Sequence, residues 1–301
     1  MAKIAVELER ALALEAATGA PGRQTARLLA QGGGWKVEDV ICTSGPRDRP
    51  FEEQHTNVSI AIVAAGSFQY RAQNGSCPSR ELMTPGSLLL GNPGQCFECG
   101  HEHGAGDRCL SFQYTPDYFE SLAAGCRAKG SFHVPRVPPL RSLSPLIARA
   151  CASVTVGGCL DISWEEISVQ LAAETIQLLG GRSLCTSDTP SSGVARVTRA
   201  VRMIERNPEA GLTLGSLARE ARLSPYHFLR IFQRLTGLTP HQYVLRTRLR
   251  EAAIRLAAES AKILDIALDC GFGDVSNFNR AFRGEFGVNP RAYRLQARIT
   301  A

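Results

Sequence analysis

Apolar positions along the chain change their period twice. From residue 4 to 31 they recur at helical spacing, with Ile4, Leu8, Ala11, Leu12 and Leu14 on one side. Gly19-Ala20-Pro21-Gly22 breaks this stretch, and a second helical piece is expected near Thr25–Ala30. Gly32-Gly33-Gly34 reads as a hinge, so residues 1–34 are expected to form a helical extension. From Trp35 to about Tyr114 the period shortens. Val37–Cys42, Val58–Ala65, Ser67–Ala72, Ser87–Leu90 and Cys109–Tyr114 are short β-runs separated by Gly, Pro and Asn, which predict a small β-barrel or double-sheet jelly roll. Helical spacing returns at Pro116–Ala124, Ser144–Val154 and Ser163–Leu179, with a Pro-rich crossover at Phe132–Pro139. A domain at 35–182 is followed by a polar linker at 183–193, which contains Thr-Ser-Asp-Thr-Pro-Ser-Ser-Gly at Thr186–Gly193.

Residues 194–301 carry an internal repeat. At an offset of fifty, Phe228, Arg230, Phe232, Gly237, Pro240 and Tyr243 match Phe278, Arg280, Phe282, Gly287, Pro290 and Tyr293. Each copy reads as helix, tight turn, helix. In the first, Thr213 caps a short helix with Leu214, Leu217 and Ala218 inward, and Ser224 with Pro225 opens a second that stops at Gly237. In the second, Ile263, Ile266 and Ala267 line the short helix, and Asp274 caps the next, which stops at Gly287. A long helix over Pro240–Ala258 joins the copies.

The outward faces decide between a plain helical hairpin and a helix-turn-helix. The second helix of copy one exposes Tyr226, His227, Leu229, Arg230 and Arg234; that of copy two exposes Val275, Ser276, Asn277, Asn279, Arg280 and Arg283. Arg and Asn pair bidentately with guanine and adenine edges in the major groove. Tyr226, His227, Arg230, Asn277, Asn279 and Arg280 are expected to meet bases. Other arginines would hold phosphates. Charge agrees: 194–301 holds 18 Arg and Lys against 9 Asp and Glu, net +9, leaving 16 basic against 19 acidic residues, net −3, elsewhere.

On the motifs Leu217-Ala218 through Gly237–Tyr243, Ile266-Ala267, Gly271-Phe272 and Asn277–Tyr293, this third of the chain resembles the DNA-binding domain of the AraC/XylS family of bacterial transcription regulators. The resemblance implies two helix-turn-helix units whose recognition helices enter successive major grooves of double-stranded DNA. It implies an α+β protein, with a cupin-like sensory barrel or jelly roll and flanking helices ahead of an all-α domain. It also implies a homodimer through the helices at 144–179, and contact with RNA polymerase if the protein is an activator. Pro85-Gly86-Ser87-Leu88-Leu89-Leu90 and Pro93-Gly94 resemble the cupin pattern, but Gln95, Cys96 and Phe97 stand where a cupin's metal-binding His is expected.

The remaining chemistry lies in Cys96–Cys109, Cys-Phe-Glu-Cys-Gly-His-Glu-His-Gly-Ala-Gly-Asp-Arg-Cys. Cys96-x-x-Cys99, His101-x-His103 and Cys109 form a candidate site for zinc or another soft metal. A low-pKa thiol beside His or Arg108 would instead sense oxidants or electrophiles, and an organic effector in the barrel is a third reading. Chelation by Cys96 and Cys99 requires a turn, because on a strand they point to opposite faces. His55 is a candidate for the same pocket. Two enzyme-like alternatives compete with the regulator: a cupin metalloenzyme using His101, His103 and Asp107, and a metal- or thiol-dependent sensor-repair protein. The first would leave the basic repeat without a role, and the second needs a metal-bound nucleophilic Cys, for which only Cys96–Cys109 is available. No apolar run reaches 18 residues and Met1-Ala2-Lys3 opens no signal sequence, so a cytoplasmic, non-membrane protein with reduced cysteines is expected.

Overall fold

A computed structural model of the protein describes residues 3–74, 77–126, 130–155, 164–180 and 191–299. They fall into two compact units. One comprises Glu7–Pro139 with Ser163–Ala195; the other comprises Met1–Val6, Leu140–Ile162 and Arg196–Ala301.

The first unit begins in helix α1 (Val6–Thr18) and continues through ten strands. These are β1 (Gln24–Gly32), β2 (Trp35–Cys42), β3 (Phe51–Gln54), β4 (Val58–Gly66), β5 (Phe68–Asn74), β6 (Cys77–Met83), β7 (Leu88–Gly91), β8 (Cys96–Gly100), β9 (Asp107–Tyr114) and β10 (Arg136–Val137). Helices α2 (Pro116–Gly125) and α4 (Trp164–Gly180) belong with them. One sheet runs β1-β2-β9-β4-β7-β10 and the other β3-β8-β5-β6. Among the described residues these are two open sheets, not the closed barrel expected as one option. The larger sheet is covered on both faces. Ala61, Val63, Leu89 and Cys109 meet Phe68, Tyr70, Ala72 and Met83 of the smaller sheet. Phe112 on the other face meets Trp164 of α4, and the Tyr114 hydroxyl donates to the Ser168 carbonyl. Two-sided burial explains why β4 reads as an apolar run interrupted only by Ser59, buried from Val58 to Ala65.

Residues 24–32 correct the expected helical extension. Ala, Leu, Arg and Gln there favour a helix locally, yet β1 pairs antiparallel with β2 from Gln24↔Cys42 to Gly32↔Trp35. The hinge glycines are a two-residue hairpin, Gly33-Gly34, with Gly34 at φ 97°. β2 is then tied to β9 by the Arg108 guanidinium, which donates to both carboxylate oxygens of Asp39 at 2.8 Å, with both side chains buried.

The second unit contains α3 (Ser144–Thr155), α5 (Ser191–Arg206) from Arg196 onward, and the helices α6 (Leu214–Glu220), α7 (Pro225–Thr236), α8 (Pro240–Ala258), α9 (Ile263–Asp269), α10 (Val275–Phe286) and α11 (Pro290–Ile299). Ser191, Ser192 and Gly193 of the expected linker are the first turn of α5, and its residues 183–190 lie outside the described ones. The repeated residues build the same aromatic cluster twice. Phe228 meets Phe232 at 5.3 Å and Phe232 meets Tyr243 edge-on at 5.6 Å; Phe278–Phe282 and Phe282–Tyr293 repeat this at 5.5 and 5.3 Å. The central helix α8 is apolar on several sides, and α3 covers one of them. Ala148 of α3 joins Leu249, Ala252, Ala253, Leu256, Phe278 and Phe282 in one core. The apolar face of α3 is thus satisfied by α8 and α10, and that of α4 by the first unit.

The two helix-turn-helix turns share one backbone conformation with different residues. Arg222 sits at φ 54° in the first, the only non-glycine residue with positive φ among those described, and Gly271 sits at φ 83° in the second. A left-handed conformation costs an L-residue roughly 1–2 kcal/mol. A Cβ at position 271 would also lie 2.7 Å from the Glu209 Cα. We therefore expect Gly271→Ala to lower the stability of the second unit by more than about 1 kcal/mol in urea denaturation, and Arg222→Gly to leave it unchanged or raised. Equal stability of Gly271→Ala and the parent protein contradicts this reading of the turn.

Candidate nucleic-acid interface

Local sequence fixes both outward helices. Ser224 accepts the His227 amide at 3.4 Å, Pro225 fills the first turn of α7 and Gly237 ends it at φ 81°. Asp274 accepts the Asn277 amide at 2.7 Å and Gly287 ends α10 at φ 77°. Phe228, Phe232 and Leu235 turn one face of α7 inward, as do Phe278, Phe282 and Phe286 for α10. The opposite faces present Tyr226, His227, Arg230 and Arg234 on α7, and Ser276, Asn277, Asn279, Arg280 and Arg283 on α10. Tyr226 is 70% exposed and lies 5.8 Å beneath the Arg230 guanidinium, a cation–π contact that pre-orients both. Val275 is half-buried at the start of α10, and Leu229 is half-buried on α7. Gln233, fully outward between Arg230 and Arg234, belongs to the same surface; its alternation with the buried Phe232 was the available signal.

Not every arginine of this unit faces outward. Arg248 on α8 donates to the carbonyls of Pro208, Ala210 and Gly271 at 2.6, 2.9 and 2.8 Å, fastening the loop before α6 and the second turn to one side chain. Arg250 pairs with Glu205, which also accepts from the Tyr243 and Thr247 hydroxyls. Arg246 pairs with Glu285 at 3.3 Å, and Ser144 of α3 bonds the same carboxylate. Arg255 pairs with Glu259 and Asp269. These four arginines and the carboxylates Glu205, Glu259, Asp269 and Glu285 cancel one another, so the net charge of +9 rests on the remaining residues. Arg280 and Arg283 make no such bonds among the described residues, and Arg230 makes only its contact with Tyr226.

In the first unit the structure brings together only part of the expected metal cluster. Cys96 and Cys99 lie on the regular strand β8, paired with Gln54 and Phe51, and no turn brings them together. Cys99 and Phe97 pack on the core between the sheets, and Glu98 on the other face pairs with Arg71. His103 lies 3.9 Å from Glu102. The group that does converge is Cys42, His101 and Asp107. Their donor atoms all lie within 4.8 Å of one another, and this is the one such group among the described residues. His101 Nε2 is 2.6 Å from Asp107 Oδ1, and the Cys109 thiol donates to Asp107 Oδ2 at 3.3 Å. His103 does not join His101 and Asp107, so the two-His-one-carboxylate set is not assembled. Cys42 was missed because its part rests on strand register, which puts it opposite Asp107.

Thiol activation is also disfavoured. Burial pushes the Cys99 and Cys109 thiols well above their usual range, and nearby carboxylates push them further, the reverse of a reactive thiol. Burial alone would lower the His101 imidazole, but hydrogen bonds to Asp107 and Cys42 outweigh it and hold it up at about 9. His55 is structural. Its ring stacks on Phe97 at 4.1 Å, shares a 2.8 Å hydrogen bond with the Tyr70 hydroxyl, and is pushed down to about 4 by burial.

Residues 217–296 match the family model described as a helix-turn-helix domain. The chain is similar to the HTH-type transcriptional regulator ArgR of Pseudomonas aeruginosa, 38% identical over 103 residues, which are 34% of this chain and 31% of that protein. It is also similar to the probable transcription factor PqrA of Proteus vulgaris, 36% identical over 91 residues, which are 30% of this chain and 73% of that protein. The chain belongs to the AraC/XylS family of transcription regulators. Among solved structures, an AraC-type regulator from Chromobacterium violaceum is 30% identical, with a TM-score of 0.34, covering 36% of this chain and 96% of that one. The AraC/XylS similarity with ArgR and PqrA spans about a third of this chain, and the chain matches well under half of ArgR. No helix among the described residues is long and apolar enough to cross a membrane.

Two predictions follow from these contacts. Arg248→Ala strands three carbonyls and should cost about 3 kcal/mol or more, whereas Arg280→Ala should stay within about 0.5 kcal/mol of the parent in urea denaturation. The second concerns pH. His55 is neutral in the folded chain down to about 4 but titrates near its ordinary value of 6.5 when unfolded. The unfolded state then binds more protons, so stability falls as pH drops from about 6.5 to about 4, by up to about 3 kcal/mol. His55→Gln should be weaker at pH 7 yet lose less on acidification; an unchanged acid slope contradicts this.

Proposed function

We propose that this AraC/XylS protein is a transcription regulator that binds double-stranded DNA through α7 and α10, with its two-sheet unit as the sensory part. The observation that carries the reading is the pair of capped helices with Arg230, Arg234, Asn277, Asn279 and Arg280 on their outward faces, each held over a Phe-Phe-Tyr cluster. Arg230 and Arg280 read base edges in the major groove, Asn277 and Asn279 suit adenine, and Tyr226, His227, Val275 and Ser276 complete the two surfaces. The fold arginines set the frame and take no part in readout.

The reading extends to a jelly-roll-type, cupin-like sensory unit that binds an effector, to a homodimer, and to RNA polymerase contact where the protein activates. Because the apolar faces of α3 and α4 are already covered within the chain, pairing of two copies would use the polar face of α4 at Glu165, Glu166 and Gln170. An effector would act only through its differential affinity for two arrangements of the chain.

The test uses a DNA site selected by the full chain from random sequence. Arg280→Ala should weaken that site by about 1–3 kcal/mol and relax preference at one end, while non-specific binding at low salt persists. Unchanged affinity for the selected site removes Arg280 from its role.

A further inference from the structure

We propose that Cys42, His101 and Asp107 form a binding site for a divalent zinc-class metal ion that ties the two sheets together. Cys42 ends β2 directly opposite Asp107, which opens β9, so both side chains leave the larger sheet on one face. His101 immediately follows β8 of the smaller sheet and brings its imidazole to Asp107. The three donors thus come from both sheets, and all three residues are buried. Gly106 closes the loop over them. Its amide donates to the Ser44 carbonyl, and Leu8 and Leu12 of α1 occupy the space a Cβ would need.

The donor chemistry selects the ion. A thiolate, an imidazole and a carboxylate are the ligand types of tetrahedral zinc. Bonds of about 2.0–2.3 Å place such donors roughly 3.3–3.8 Å apart, so donors already within 4.8 Å need only small side-chain shifts. The hydrogen bond between His101 and Asp107 opens as the ion takes the place of its proton. Charge closes as well. One thiolate and one carboxylate neutralise a divalent cation with a neutral imidazole, whereas a monovalent ion would leave a buried negative charge. Cys109, donating to the second oxygen of Asp107, orients the carboxylate from behind. Three protein ligands leave a fourth position open, as in sites that admit an exchangeable ligand.

The site does not depend on the DNA-binding reading, and the two are measured separately on one preparation. Full-length protein is purified in reductant, treated with chelator and titrated with Co2+ and then Zn2+. We expect about one equivalent bound per chain, the intense visible bands of tetrahedral, thiolate-ligated cobalt, and displacement by Zn2+. Cys42→Ser, His101→Gln and Asp107→Asn should each lose at least tenfold in affinity. Cys96→Ser and His103→Gln, outside the converged group, should bind as the parent does. The variants are checked for native circular dichroism. No stoichiometric uptake by the parent protein overturns the site. Uptake abolished by Cys96→Ser and His103→Gln but retained by Cys42→Ser also overturns it.

Discussion

The C-terminal architecture depends on one side chain in the middle of one helix. Arg248 of α8 donates to three backbone carbonyls, two in the loop that precedes α6 and one in the turn between α9 and α10. On one side of α8, Tyr243 edges onto Phe232 of the first helix-turn-helix. On the other side, Leu249, Ala252, Ala253 and Leu256 pack with Phe278 and Phe282 of the second. A half-buried guanidinium without partners would be costly, and so would the stranded carbonyls. Hydrogen-bonded in this way, the guanidinium joins the loop before α6 to the turn between α9 and α10. Two recognition surfaces held so rigidly lose little freedom on association, which favours affinity by preorganisation.

Helix α3 adds a constraint that the domain order along the chain conceals. It precedes the C-terminal helices by about forty residues, yet Ala148 is part of the core beneath α8 and α10. Ser144 and Arg246 share the Glu285 carboxylate. The first turns of α3 are therefore in contact with the helix that carries Asn277, Asn279 and Arg280.

Much of this was legible in the sequence wherever one residue type answers one local need. Ser224-Pro225, Asp274, Gly237 and Gly287 name the ends of α7 and α10 because caps and left-handed positions have few solutions. The repeated Phe and Tyr residues name the cores. What failed was decided by pairing across the chain. Residues 24–32 have helix-favouring side chains, and only the edge of β2 makes them a strand. Cys42 and Asp107 lie far apart in sequence and meet through the register of β2 on β9. Net charge could not tell Arg248, spent on the fold, from Arg280, which the fold does not use. The Cys96–Cys99 spacing suggested a chelate, but a regular strand turns the two side chains to opposite faces.

The central claim is that α7 and α10 read DNA as two linked surfaces on one rigid frame. The most direct measurement is a base-resolution footprint of the full chain on DNA selected from random sequence. Two protected major-groove segments centred about 10–10.5 base pairs apart on one face of the duplex are predicted. Arg230→Ala should weaken protection of one segment and Arg280→Ala of the other. A single protected segment, or loss of both segments from either substitution, would contradict the claim.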